Sequence, residues 1–319
     1  MGAGNPFEIE GTWLKAALHT HTRRSDGDLE PAAHVAHHEW AGFDVLAITD
    51  HWTVTPMPST EHLVVITGAE LAVDPLAPGR YTEILAIGIH ELPDDPGGDR
   101  AYWEEVDTYS FKTFPDLASA GASIAAQGGV SFVAHPSWSG LPLETLLASD
   151  GVHGIELFNS SAERECARGD SSYVWDQVLE TGRRLWAFAT DDCHYPLFDI
   201  GDAWTMIRAA ERSETAVVDA LREGRTYAST GPEIVEVTLD GSAVEVRCSP
   251  ARSIVLASRH ELGWAVRADH RNRLEDARIL ERDDRGAVLR ARFTPPIDVP
   301  YRRLVVEGVD GRKAWTNPF

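Results

Sequence analysis

Leu14-Lys15-Ala16-Ala17-Leu18-His19-Thr20-His21 is a short apolar run that stops on two histidines two residues apart. Side chains alternate between faces in an extended chain, so His19 and His21 leave the strand end on the same side. The same grammar recurs. The run 45–48 leads into Thr49-Asp50-His51, 63–66 into Gly68-Ala69-Glu70, 83–89 into His90, and 131–134 into His135-Pro136. The run 154–158 carries Glu156 and leads to Asn159, and 184–189 ends in Asp191-Asp192-Cys193-His194. Ligand-type side chains thus gather where apolar strands stop. In α/β barrels the C-terminal strand ends form one rim, and sites are assembled there from several strands at once.

Outward from these runs, helical patterns occupy 30–40, 117–126, 143–148, 173–180 and 214–223, and a further apolar run covers 203–207. Several runs are apolar throughout, as in Val45-Leu-Ala-Ile48, which is how strands covered on both faces of a parallel sheet read. Seven or eight βα-type units predict an α/β chain closed as a barrel rather than an open sheet. After Gly231-Pro232 the texture changes to alternating segments at 234–239, 244–248, 254–257, 288–293 and 303–307, with turns at Asp240-Gly241 and Asp310-Gly311. The expected organisation is a barrel over 1–228 and a small all-β, sandwich-like domain over 229–319. The tract 93–99, Pro-Asp-Asp-Pro-Gly-Gly-Asp, reads as a loop.

Charge narrows the function. Fifty acidic and 29 basic residues give a formal net charge of −21. A broad basic footprint is absent, so neither nucleic acid nor an anionic membrane is the expected partner. A small phosphate ester is still an admissible substrate, because bound cations can reverse the field locally. Cys166, Cys193 and Cys248 are odd in number and scattered, which predicts a reducing compartment. The opening Met-Gly-Ala-Gly-Asn-Pro lacks a basic patch followed by an apolar run, and no eighteen apolar residues stand together. A cytoplasmic protein is expected.

The pairs His19/His21 and Asp192/His194 each put two donors on one face, where they can grip one metal or two adjacent ones. Mixed imidazole and carboxylate donors suit Zn, Mn or Fe in a hydrolytic site, whereas a structural zinc site would recruit cysteine. Glu70 is the carboxylate placed to bridge two ions. His34, His37 and His38 fall on an outer helix and are expected at the solvated surface. His62, His153, His260 and His270 show no partner pattern. Asp191 points opposite to Asp192, and Cys193 packs away from the metals.

His19-Thr-His21-Thr-Arg-Arg-Ser25-Asp26-Gly27, Thr49-Asp50-His51, Gly68-Ala-Glu70-Leu, His135-Pro136 and Asp192-Cys-His194 together resemble the polymerase and histidinol phosphatase (PHP) superfamily. The tail is similar to a branch that includes carbaryl hydrolases and adds a C-terminal β domain. The resemblance implies a distorted (β/α)7 barrel with two or three divalent metal ions and hydrolysis of phosphate esters. It implies a first metal on His19, His21, Glu70 and Asp192, and a second on Glu70, His90 and His135. A third falls to Asp26, His51 and His194. His90 is taken because Glu83 stands where many members carry a histidine. A metal-bridging hydroxide would attack phosphorus, His194 or His51 would protonate the leaving oxygen, and the third ion with an arginine would neutralise the phosphate. Arg23, Arg24 and Arg164 lie near the motifs, and the sequence assigns that role to none of them. The competing readings are a carboxyl-ester or carbamate hydrolase on the same metals, and an inactive binding module.

Overall fold

The computed structural model describes residues 4–73, 82–93, 100–101, 110–111, 113–269 and 275–319. His270 and most of the 93–99 tract lie outside them. The elements run β1 (Thr12–Ala17), α1 (Pro31–Trp40), β2 (Val45–Ile48), β3 (Val64–Val73), β4 (Thr82–Ile87), β5 (Arg100–Ala101), β6 (Ser110–Phe111), α2 (Leu117–Ala126) and β7 (Val130–Val133). There follow α3 (Pro136–Ser139), α4 (Leu143–Leu147), β8 (Gly154–Asn159), α5 (Ser160–Cys166), α6 (Ser172–Glu180), β9 (Trp186–Thr190), α7 (Pro196–Asp199), β10 (Trp204–Ala209) and α8 (Glu214–Arg222). The remaining strands are β11 (Thr226–Ser229), β12 (Ile234–Asp240), β13 (Ala243–Ala257), β14 (Gly263–Arg267), β15 (Ala277–Arg282), β16 (Val288–Phe293), β17 (Arg303–Gly308) and β18 (Lys313–Thr316).

Local chemistry sets the helix ends. Asp116 caps α2 by accepting from the Ser119 amide at 2.7 Å, and Ser213 caps α8 through the Ala216 amide. α1 opens on Pro31, whose missing N–H costs nothing in a first turn. α8 buries Val217, Val218, Ala220 and Leu221 against a core of Leu14, Val45, Phe132 and Phe188. A second core lies under α2, α4 and α6, around Trp175, whose indole N–H donates to Leu185 O at 2.8 Å. Each such large apolar side chain contributes about 1.5–3 kcal/mol on burial.

One sheet of 16 strands carries the fold, ordered β15-β16-β13-β17-β18-β11-β10-β1-β2-β3-β4-β7-β8-β9, with β12 and β14 paired to β13. The pairs β1–β2, β2–β3, β7–β8 and β8–β9 are parallel. β3–β4, β4–β7, β1–β10 and β10–β11 are antiparallel. This corrects the parallel sheet read from the apolar runs. No helical pattern separates β3 from β4, so β4 returns beside β3 in the opposite sense, as a strand without a crossover helix must. Strands buried on both faces are apolar throughout whichever way they run, so composition does not report direction.

After α8 no helix occurs among the described residues. β13 spans two expected segments because Ser249-Pro250 interrupts the alternation without ending the strand, and the register shifts beside them accommodate the proline. Its core, with Val246, Ile254 and Phe293, reaches back to the N-terminal strands through the packed rings of Phe7, Trp13 and Tyr227. No described helix is long and apolar enough to cross a membrane.

α1 departs from expectation. His34 and His38 have no exposed surface, while Trp40 is 88% exposed. The helix is rich in alanine, so His34, Val35 and His38 form the face that meets Phe43 and Leu46. The His38 ring donates from Nδ1 to His34 O at 2.8 Å and stacks 6.0 Å from the His34 ring. Neither ring nitrogen of His34 has a hydrogen-bond partner among the described residues. Burial holds both imidazoles neutral, pushing His34 down to about 3 and His38 to about 4.

Candidate metal centre

Two chain segments just past their strands build the floor of the site. Beyond β1 and β9, Thr20 and Cys193 form a parallel bridge. The His21 amide donates to Cys193 O at 2.9 Å and the Cys193 amide to His19 O at 3.2 Å. Alternation about that bridge turns Thr20 and buried Cys193 away and brings His19, His21, Asp192 and His194 to one side. The loop after His21 folds back tightly: a Cβ on Gly27 would stand 2.1 Å from His21 O, so only glycine fits and Asp26 is delivered to the rim.

The donors converge in three overlapping groups: His19, His21 and Glu70; His51, Glu70 and Glu83; and His21, Asp26, His51 and His194. Glu70 Oε2 lies 3.0 Å from His19 Nε2, 3.2 Å from His21 Nε2 and 3.5 Å from His51 Nδ1. Asp192 Oδ1 lies 3.2 Å from His19 Nε2 and 3.4 Å from His21 Nε2. His135 Nε2 is 3.3 Å from both Glu70 Oε1 and Glu83 Oε2. Asp26 Oδ2 stands 3.6 Å from His51 Nε2 and 3.4 Å from His194 Nε2. The site opens on this last side, since the Asp26 side chain is 42% exposed and His194 24%, against 1% for Glu70.

His90 does not join them. Its side chain is 68% exposed and meets Glu214 at 3.5 Å and Thr67 Oγ1 at 3.0 Å. The cause is the direction of β4. Because β4 runs antiparallel to β3, its beginning lies at the rim and its end at the far side, so Glu83 takes the place expected of His90.

A second ring of carboxylates orients the donors. Glu156 accepts from His19 Nδ1 at 2.8 Å and from the His135 amide at 2.7 Å, which leaves His19 Nε2 facing the cluster. Asn159 bridges Glu156 and Asp192, with 3.0 Å to each. Asp50 is spent on Thr22, Ser25 and Thr55, fixing the loop that bears Asp26. Asp191 accepts from the amides of Gly201, Asp202 and Ala203 and from Ser160, and burial pushes it up to about 6. Among the arginines, Arg164 binds Asp199 and Asp202, and Arg23 donates to Asp28 O and pairs with Glu30.

Burial penalises the charges on His51, His135, His194, Glu70, Asp26 and Asp192, but the opposite charges outweigh it. Against burial, Glu70 and Asp26 raise His51 to about 10, Glu70 and Glu83 raise His135 to about 9, and Asp26 and Asp192 raise His194 to about 9. The histidines in turn hold Glu70, Asp26 and Asp192 well below the usual carboxylate range. The protein alone balances its carboxylates with imidazolium protons. Two features fit a cation better than a proton. Glu70 Oε1 and Asp192 Oδ1 are buried and, among the described residues, their contacts with His135 at 3.3 Å and His19 at 3.2 Å lack hydrogen-bond geometry. His19 Nε2 and His21 Nε2 also point at each other across 3.0 Å, as nitrogens aimed at a common ion do. The residues fit a cluster of divalent ions.

No protein-family model and no curated protein matches this chain. Among solved structures it is similar to a two-domain protein from Bacteroides vulgatus described as containing a predicted PHP-like metal-dependent phosphoesterase, with 18% identity and a TM-score of 0.52. That likeness covers 100% of this chain and 98% of the other. A lesion-specific endonuclease Q from Pyrococcus furiosus shares 10% identity at a TM-score of 0.46, over 66% of this chain and 56% of its own. An endonuclease Q bound to a 27-mer duplex substrate gives 10% and 0.47, over 66% and 57%. The exclusion of nucleic acid drawn from net charge is corrected: one of these solved structures holds a duplex substrate, and a charge summed over the whole chain does not set the field at one site. Over its whole length, the chain shares the fold of that Bacteroides vulgatus protein.

Proposed function

We propose that the chain is a metal-dependent hydrolase acting on phosphate esters, on a distorted (β/α)7-type barrel over 1–228 with a β domain over 229–319. The observation that carries the reading is the three overlapping donor groups joined through Glu70, His21 and His51. His19, His21, Glu70 and Asp192 would hold a first ion, Glu70, Glu83 and His135 a second, and Asp26, His51 and His194 a third. Divalent zinc, manganese or iron bound there would acidify a water and offset the charge of a phosphate.

The chain's own residues supply the rest. Four carboxylates, Asp26, Glu70, Glu83 and Asp192, face the centre. Two divalent charges would only neutralise them, whereas three leave a positive excess for an anionic substrate. His51 and His194 line the open side and hold protons well above neutral pH when no ion claims their nitrogens. With the third site empty, His194, the more exposed, is placed to pass its proton to a leaving oxygen; with it filled, His194 serves as an ion ligand instead. Glu156 and Asn159 keep the buried donors oriented.

Protein loaded with each metal should be assayed on p-nitrophenyl phosphate, bis(p-nitrophenyl) phosphate and p-nitrophenyl acetate. Turnover of a phosphate ester supports the reading. Turnover of the acetate alone would move the function to carbonyl esters or carbamates, and turnover of none would leave a binding module.

A further inference from the structure

Arg164 is one of the cations that sequence places near the site, but its guanidinium is engaged elsewhere. Its Nη2 donates to Asp199 Oδ1 at 2.9 Å, and its Nη1 to Asp202 Oδ2 and to Phe198 O, each at 2.7 Å. Asp199 is 5% exposed and turns its other oxygen to the backbone, accepting the amides of His194 at 2.9 Å and Tyr195 at 2.6 Å. One planar fork on α5 therefore grips three groups along 198–202, and one of them holds the main chain at a cluster histidine. Asp191 ties the end of the same segment through Gly201, Asp202 and Ala203. Leu197 and Phe198 are 75% and 80% exposed, while Pro196 is buried and Ile200 packs beside Phe43 and Leu46, so the segment rests on the core at two points and the polar ties orient it between them.

We propose that Arg164 is a positioning residue: through Asp199 it sets the backbone at 194–195, and with it the ring that completes the Asp26, His51 and His194 group. This rests on reading that group as the third ion site. Without Arg164, the nearly buried Asp199 side chain loses the fork that holds its orientation and can rotate, which loosens its hold on the His194 amide. Lysine would restore the charge but not the three-way fork. Outer contacts of this kind change metal affinity by about 10–100-fold.

The test is equilibrium dialysis of the full chain against Mn2+, with elemental analysis and thermal melts, for wild type, Arg164→Met and Arg164→Lys. Three ions in wild type, with two retained and the weakest-held one bound about tenfold or more loosely in Arg164→Met, is the expected result. Arg164→Lys should recover part of that loss. Unchanged binding of all three ions in Arg164→Met overturns the inference while leaving the third site standing. Uniform weakening of all ions together with a collapsed melting temperature also overturns it, since the arginine would then serve the fold at large. Only two ions in wild type removes the third site itself, and the inference falls with it.

Discussion

Glu83 Oε2 stands 3.3 Å from His135 Nε2: Glu83 lies at the start of β4, and His135 just past the end of β7, the neighbouring strand that runs the opposite way. The start of β4 and the end of β7 meet at one rim, and a carboxylate completes the group that a trailing histidine was expected to fill. Glu83→Ala should lower turnover by about a hundredfold or more through loss of an ion ligand. His90→Ala should leave it within about twofold, as exposed positions do. Equal losses in steady-state assays would contradict the placement.

The metal-free protein should have its own pH window. His51, His135 and His194 are raised to about 10, 9 and 9, so the stability they contribute is complete below the ordinary histidine range and is lost as pH rises through 9 to 10. Glu70, Asp26 and Asp192 are depressed, so their contribution is present above the ordinary carboxylate range and lost in acid. Melting temperatures of EDTA-treated protein should therefore fall between pH 7 and pH 10. Metal-loaded protein should not follow, because ions replace the protons, and loading near pH 7 should release protons measurable in weak buffer.

Asp26→Ala separates a phosphate clamp from a general hydrolytic centre. Removing one carboxylate from the open side should loosen the third ion, cutting p-nitrophenyl phosphate turnover by about tenfold or more while sparing p-nitrophenyl acetate. Parallel losses on both substrates would mean that the third group serves no phosphate-specific role.

The buried pair on α1 predicts acid sensitivity from a different source. His34 and His38 bind protons less readily folded than unfolded, so stability is full above the ordinary histidine value and declines as pH drops toward 4. His34→Leu removes a buried, unpartnered imidazole of similar size. It should flatten the decline in melting temperature between pH 7 and pH 5, and an unchanged slope would place the acid sensitivity elsewhere.

The site was legible in the sequence wherever a donor follows an apolar run: His19, His21, His51, Glu70, His135, Asp192 and His194 all gather within one cluster, although β3 continues through Glu70 to Val73. The rule failed at His90 because it assumes parallel strands, and strand direction leaves no mark on an all-apolar run. Glu156 and Asn159 carried a weaker signal, since polar residues inside an apolar strand report burial without reporting a partner. The buried face of α1 was hidden because alanine is neutral to burial and histidine reads as polar. In the C-terminal half, Pro250 looked like a strand end, yet β13 passes through it by a change of register.

Among non-glycine residues in the described part of the chain, positive φ angles occur at Trp52, His135, Ala167, Asp192 and His260. His135 and Asp192 are proposed ion ligands, and Trp52 follows another, at φ of 28°, 52° and 45°. Such backbone is disfavoured for L-residues by about 1–3 kcal/mol each. Selection for thermal robustness alone would therefore drift these positions toward glycine, improving folding while erasing the donors. A laboratory lineage evolved only for heat tolerance should lose Asp192 early, whereas one held to turnover should recover stability at sites away from the rim.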